Sequence, residues 1–276
     1  MTDQMTMYPM PPEPSADEAI RFLREHEPPA GYWGAFSGGK DSVAIKHLAR
    51  MAGVNVRWHH NLTTIDPPEL VRFVIREHAD VMINRPSMHM LRMAVDRGFP
   101  TRRGRWCCKE YKETFRPPGF LIMGIRAEES ARRRAQWAPV TPLRKSRTTA
   151  ILPILEWDSE YLWEFIHSEG IPYCGLYDDG FKRLGCVGCP MSGKQRIADF
   201  ARWPGIEKQW KRAFERIWEK RSGSIQRNGV EWFGNRFFDG WQGMWHWWLH
   251  DSTLPERQGL FEFEANARLR AAGRTR

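Results

Sequence analysis

An α/β fold, a doubly wound and mainly parallel sheet with a helical C-terminal cap, is predicted by three observations. Short apolar runs alternate with helical stretches of about ten residues. A glycine turn, Ser37-Gly38-Gly39, follows the first of these runs. Eight of the fourteen tryptophans lie after residue 200, which marks a distinct C-terminal element. Taken in order, Ser15-Ala-Asp-Glu18 is a capping box opening a helix to about Glu25, which Pro28-Pro29 end. Tyr32 to Phe36 predicts a strand and Ser42 to Ala52 a helix. Val54 to His60 predicts the next strand, with a helix over Leu70 to Glu77 after Pro67-Pro68. Asp80 to Asn84 (strand), Met88 to Arg97 (helix) and Phe120 to Ile125 (strand) continue the alternation. Ile151 to Leu155 is a fifth strand and Ser159 to Ser168 a helix stopped by Gly170 and Pro172. From Ile197 an aromatic stripe of Phe200, Trp203, Trp210, Phe214 and Trp218 recurs at helical spacing and predicts a packed face. The expected division is 1–28 as N-terminal helix and tail, 29–191 as the nucleotide-binding domain carrying the cysteines, and 192–276 as the Trp-rich helical region.

Charge and composition narrow the class. The chain has 276 residues, 41% hydrophobic and 27% charged, with a net charge of +9. That composition excludes a disordered chain, a disulfide miniprotein and a repeat array. Between Arg97 and Arg147 stand fourteen basic and four acidic side chains, more than the whole net charge, which suits a polyanionic substrate such as nucleic acid. The first twenty residues are acidic and Pro-rich, unlike a secretory leader, and no apolar run reaches membrane-spanning length. A cytoplasmic protein without membrane contact is expected. Five cysteines in that compartment point to metal or redox chemistry.

Ser37-Gly38-Gly39-Lys40-Asp41-Ser42 lies where the first strand turns into a helix. Glycine lets backbone N–H groups close around oxyanions, the helix N-terminus adds partial positive charge, and Lys40 adds a full one. The Walker A spacing from Gly34 fails, because the position after Lys40 must offer a hydroxyl to magnesium and holds Asp41. The run resembles instead the SGGxDS loop of ATP pyrophosphatases, which cleave ATP between the α- and β-phosphates. In that likeness Lys40 neutralises departing pyrophosphate, and Asp41 and Ser42 hold phosphate or Mg2+.

Cys107-Cys108 and Cys186-Val-Gly-Cys189 form two pairs about eighty residues apart. Four thiolates suit structural zinc or an iron–sulfur cluster. Spacing does not choose between them, though adjacent side chains diverge and serve two irons of a cube more easily than one tetrahedral ion.

With these motifs the chain resembles the phosphoadenosine phosphosulfate reductase family over about Tyr32 to Met191. The likeness also rests on Gly124-Ile-Arg126-Ala-Glu-Glu129-Ser130-Ala-Arg132-Arg133, on Asn61 through Asp66-Pro-Pro-Glu69, and on Ile171-Pro172-Tyr173 and Leu176-Tyr177-Asp178 leading to Gly185-Cys186. It implies an adenine-nucleotide α-hydrolase-like fold and a [4Fe–4S] cluster on Cys107, Cys108, Cys186 and Cys189. That branch contains adenylyl-sulfate reductases and DndC-type DNA phosphorothioation enzymes. Gly124, Arg126 and Arg133 would bind nucleotide, with Glu129 orienting an arginine or holding magnesium.

Two departures from the reductase pattern set the functional expectation. The stretch after Cys189 has no cysteine to supply the reductases' nucleophilic thiol, which leaves only Cys174 or an external thiol. The reductases' phosphate loop is generally degenerate, whereas Ser37 to Ser42 is intact. The expectation is an ATP-dependent sulfurtransferase that adenylates a substrate, plausibly nucleic acid, for attack by a sulfur donor. The alternatives are a sulfonucleotide reductase forming sulfite with thioredoxin, and a nucleotide-binding subunit without turnover.

Overall fold

The structure is a computed structural model, and it describes residues 14–144, 146–228 and 240–250, with side chains of 221–228 left aside. The expectation of a leaderless amino terminus falls partly on 1–13, and Trp232 and Lys145 likewise lie outside the described residues. The chain divides into two compact units interleaved in sequence: 1–61, 68–84 and 115–184 in one, 62–67, 85–114 and 185–276 in the other.

The first unit holds the sheet. Its strands are β1 (Tyr32–Ala35), β2 (Val56–Asn61), β3 (Met82–Asn84), β4 (Gly119–Ile122), β5 (Val140–Pro142) and β6 (Thr148–Ile151), in spatial order β3-β2-β1-β4-β6-β5. Every pairing is parallel except β5 with β6. The order reverses at β1, so the loop after β1 emerges beside β4 at the sheet's switch point, where α/β sheets bind ligands. In α1 (Ala16–Glu25) the Ser15 hydroxyl accepts from Glu18 N at 3.1 Å, the N-cap bond of the expected capping box. Helix α2 (Lys40–Ala52) begins on Gly39 and ends on Gly53 in the left-handed conformation (φ 69°). Helix α3 (Pro68–Glu77) places Pro68 in its first turn, where a missing N–H costs nothing. Two short elements, α5 (Ala131–Gln136) and α6 (Ser159–Ser168), start on Ser130 and Asp158, whose side chains accept from Arg133 N and Tyr161 N. Leu23, Ile45, Leu48, Ile122, Leu162 and Ile166 are fully buried in one apolar cluster.

Two elements differ from the sequence expectation. The fifth strand was expected over Ile151 to Leu155; it runs Thr148–Ile151 and stops because Pro153 has no N–H for the ladder. The antiparallel β5 was not anticipated, being three residues long with Pro142 on an edge strand.

The second unit is helical: α4 (Met90–Arg97), a five-residue π-helical turn over Cys108–Lys112, α7 (Gln195–Arg202), α8 (Pro204–Asn228) and α9 (Trp241–His250). The aromatic stripe packs as expected, with Phe200, Trp203, Trp210 and Phe214 buried and Trp245 and Trp248 of α9 closing over them. Trp245 and Trp248 are themselves buried. Among the described residues no helix is long and apolar enough to cross a membrane.

Gly34 pairs with Trp58 across β1 and β2, and a Cβ there would stand 2.2 Å from the indole ring. Gly34→Ala is expected to cost about 2 kcal/mol or more by overpacking, read as a lowered Tm in thermal unfolding followed by circular dichroism.

Candidate functional site

The first unit carries the phosphate loop. Gly38 sits at φ +76°, and a Cβ on it would meet Val74 at 2.7 Å and Leu70 at 2.8 Å, so only glycine fits between β1 and α3. The loop is knitted from within: Ser42 Oγ donates to Gly39 O at 2.8 Å, and the Ser37 and Ser42 hydroxyls lie 3.2 Å apart. Lys40 is buried, with its ammonium 3.1 Å from Asp41 Oδ2. The Lys40 backbone N–H, at the mouth of the helix, donates to Tyr177 Oη at 2.9 Å.

Asp41 is the centre of this arrangement. Its Oδ1 receives Arg126 Nε at 2.5 Å. Burial would raise the Asp41 carboxyl, but Lys40 and Arg126 outweigh it and hold the group below its ordinary value. Arg126, only 2% exposed, spends its remaining donors on Glu128 (2.6 Å), Trp157 O (3.2 Å) and Ser159 Oγ (3.2 Å). A Cβ on Gly124 would stand 3.0 Å from the Asp41 carbonyl carbon, which accounts for glycine at that position. Arg126, expected to clamp an anion, thus acts in this structure as the strut of Asp41. Glu129 orients two arginines: Arg133 through a close ion pair and Arg183 at 3.1 Å. Arg132 is exposed. The loop opens on a cavity of about 580 Å³ lined by Lys40, Arg126, Glu128, Glu129, Ser159, Trp163, His167, Tyr173, Tyr177, Asp178, Lys182 and Arg183. Cys174 is buried in the same unit, and burial pushes its thiol up, which ill suits a nucleophile. His59 is buried and stacks on Phe115 at 4.0 Å.

The second unit gathers the other four cysteines around one small cavity, with Ile65, Met90, Pro100, Lys112, Gly188, Pro190 and Trp210 completing its wall. All are free thiols. The loop Cys186–Cys189 is pinned where Val187 N donates to Ile65 O (2.8 Å) and Trp210 Nε1 donates to Val187 O (3.1 Å). Gly188, at φ +76°, leaves room for Phe200 and Trp210, whose atoms would lie 2.5 Å and 3.0 Å from a Cβ. Cys186 Sγ donates to Thr63 Oγ1 at 3.3 Å, and Thr63 in turn donates to Asp66 at 2.7 Å. A hydrogen bond with Cys107 draws the Cys108 thiol down to about 6, while Cys107 is pushed up. The neighbouring charge of Cys186, then of Cys189, Asp66 and Cys108, raises the Lys112 ammonium above its ordinary value. Among the described residues no group of three or more His, Cys, Asp or Glu is arranged to hold a metal ion.

The sequence reading missed Tyr177, Glu128, Arg183, Thr63 and Lys112 as site residues. Lys112 had a signal, lying one helical turn after Cys108. Tyr177 stood within the Leu176-Tyr177-Asp178 likeness, but its contact with Lys40, 137 residues away, had no signal. Within the basic stretch, Arg126 is buried and Arg97 pairs with Glu110 at 2.8 Å.

Residues 31–192 match the phosphoadenosine phosphosulfate reductase domain. The chain belongs to that family. Among curated relatives, an uncharacterized protein of Methanocaldococcus jannaschii is 29% identical over 234 residues, covering 77% of this chain and 45% of its own. The adenosine 5'-phosphosulfate reductase of Oceanobacillus iheyensis is 23% identical over 137 residues, 47% of this chain and 57% of its own. The chain therefore spans about half the length of these members of the family. A phosphoadenylyl-sulfate reductase structure from Candida auris aligns with TM-score 0.48 at 18% identity, covering 63% of this chain and 89% of that one.

Asp41→Asn is expected to cost about 2 kcal/mol or more, since it removes one of the two carboxylates that pair the buried Arg126 and leaves it to the more exposed Glu128. Because the Asp41 carboxyl is held below its ordinary 3.8, its contribution is present above that pH and is lost as pH falls through the depressed value. Urea midpoints measured from pH 6 down to pH 2 should fall more steeply in the wild type than in Asp41→Asn.

Proposed function

We propose that this chain binds Mg2+-ATP on the Ser37–Ser42 loop and transfers AMP to an acceptor oxygen, releasing pyrophosphate. The observation that carries the reading is the intact loop at the N-terminus of α2, with Lys40 and an Arg126-braced Asp41 beside it, opening on a cavity of about 580 Å³. The helix N-terminus and Lys40 receive the charge that develops on the leaving β- and γ-phosphates. Asp41, fixed from both sides, is the carboxylate placed to meet Mg2+. The acceptor oxygen forms a bond to the α-phosphorus as the α–β bridge breaks, and the pair of electrons leaves with pyrophosphate. A hydrosulfide equivalent then attacks the activated carbon, AMP departs with the former acceptor oxygen, and the sulfur replaces it.

Cys107, Cys108, Cys186 and Cys189 are the residues that would hold a [4Fe–4S] cluster. Their soft donor set fits such a group, and so does the wall that encloses it, largely apolar and carrying one cation, Lys112. Adjacent cysteines, whose side chains diverge, suit a cluster better than a single tetrahedral zinc. Bound there, the cluster would supply Lewis-acidic or redox-active iron. The exposed arginines Arg102, Arg103 and Arg105, just before Cys107-Cys108, favour a polyanionic acceptor such as nucleic acid.

A second reading draws on the relatives named as adenosine 5'-phosphosulfate reductases: reduction of adenylyl sulfate to sulfite with thioredoxin as electron donor. Purified without oxygen, the protein is expected to contain four irons per chain and to release pyrophosphate from Mg2+-ATP when its acceptor is present. Sulfite from adenylyl sulfate, with no pyrophosphate from ATP, would establish the reductase instead, and nucleotide binding without either product would establish a non-catalytic subunit. Lys40→Ala should lower pyrophosphate release by about 100-fold and keep the iron, whereas Cys186→Ser should lose the iron and keep ATP binding. Zinc in place of iron would overturn the cluster assignment.

A further inference from the structure

The cavity beside the phosphate loop has two ends of unlike chemistry. One end is ionic, with Lys40, Arg126 and Arg183. The other is a wall of rings centred on Trp163 of α6. Tyr173 and Tyr177 meet the Trp163 indole edge-on, at 5.2 Å and 5.1 Å between centroids. His167, one turn further along α6, lies nearly parallel to it at 24° and 5.5 Å. Trp163, Tyr173 and Tyr177 are only half-buried and His167 is exposed, so this aromatic surface is not consumed by the core. Tyr173 is fixed by donating its hydroxyl to Asp178 at 2.9 Å, and Tyr177 by the Lys40 N–H. These rings are thus held in place while one side of the cluster borders open space.

We propose that this wall is the seat of the acceptor, and that the acceptor is a phosphate-bearing nucleobase whose ring packs on Trp163 and His167 while its phosphate faces Lys182 and Arg183. The inference rests on the ATP-adenylation reading and names the substrate class of the same site. An incoming oxygen must reach the α-phosphorus from the side opposite the leaving pyrophosphate, which rests on the loop at α2. The cavity that shares Lys40 and Arg126 with that loop is the space from which it approaches. About 580 Å³ is far more than a hydroxyl or a sulfate needs, and it is within the range of sites that enclose a nucleotide-sized ligand. A flat ring is the natural occupant of an aromatic wall; Lys40, Arg126 and Arg183 are already paired with Asp41, Glu128 and Glu129, and it is the exposed Lys182, with Arg183 beside it, that favours a phosphate on that ring.

The test uses 2-aminopurine ribonucleoside monophosphate, free in one arm and as the single fluorescent base of a short single-stranded oligoribonucleotide in the other. Each is titrated with full-length protein in the presence of Mg2+ and the α,β-methylene analogue of ATP. Saturable quenching is expected in at least one arm; quenching by the oligonucleotide alone identifies a polynucleotide acceptor, and by the monophosphate alone a free nucleotide. Trp163→Ala should weaken that binding about tenfold or more, Trp163→Phe should restore it, and His167→Ala, at an exposed position, should weaken it without any question of folding. The affinity of the ATP analogue should stay within about twofold throughout. Absence of quenching in both arms overturns the proposal, as does displacement of the probe by the analogue, which would make the wall the seat of ATP's own adenine. Failure of the analogue itself to bind the wild type refutes the ATP reading, a result separable from failure of the acceptor seat alone.

Discussion

The ion pair between Arg126 and Asp41 is the constraint on which the phosphate site depends. A guanidinium 2% exposed cannot be left without a countercharge, because the desolvation cost of an unpaired buried cation exceeds what a small domain can absorb. Arg126 follows β4 and Asp41 opens α2, so their contact ties the two chain segments that flank the sheet's switch point. Lys40 then has its partner on the adjacent residue, Gly124 lets its backbone come close to that of Asp41, and Gly38 supplies the left-handed turn packed against Val74 and Leu70. The arrangement is fixed before any ligand arrives, which is what electrostatic stabilisation of a leaving group requires.

In the second unit the corresponding role falls to aromatic packing. Trp210 bonds the carbonyl of Val187, its ring and that of Phe200 lie against Gly188, and Arg196 reaches Pro190 O while stacking over Trp248. The excess of tryptophan in the C-terminal region is thereby explained in part: these rings hold the Cys186–Cys189 loop in shape. Lys112 sets a positive charge beside Cys186 and Cys108, which favours their ionised form against the burial that opposes it.

The sheet, the loop and the two cysteine pairs were legible in the sequence because each rests on local chemistry. Short apolar runs, a glycine turn before a helix, and paired soft ligands all declare themselves within ten residues. What was not legible rests on distant partners. Arg126 reads as an anion clamp in isolation and becomes a strut only when Asp41, 85 residues earlier, is seen beside it. Tyr177 and Thr63 gain their roles from Lys40 and Cys186, across 137 and 123 residues. β5 was missed because three edge residues carry too little pattern to register. The local excess of arginine misled in one respect, since Arg126 and Arg133 serve internal ion pairs rather than a surface.

The central claim is that this loop breaks the bridge between the α- and β-phosphates of ATP. Phosphorus NMR of Mg2+-ATP incubated anaerobically with the iron-loaded protein and a nucleic-acid acceptor identifies the bond directly. Resonances of AMP, or of an adenylated acceptor, together with pyrophosphate are the predicted products. ADP and inorganic phosphate would contradict the account, because they require the β–γ bridge to break instead.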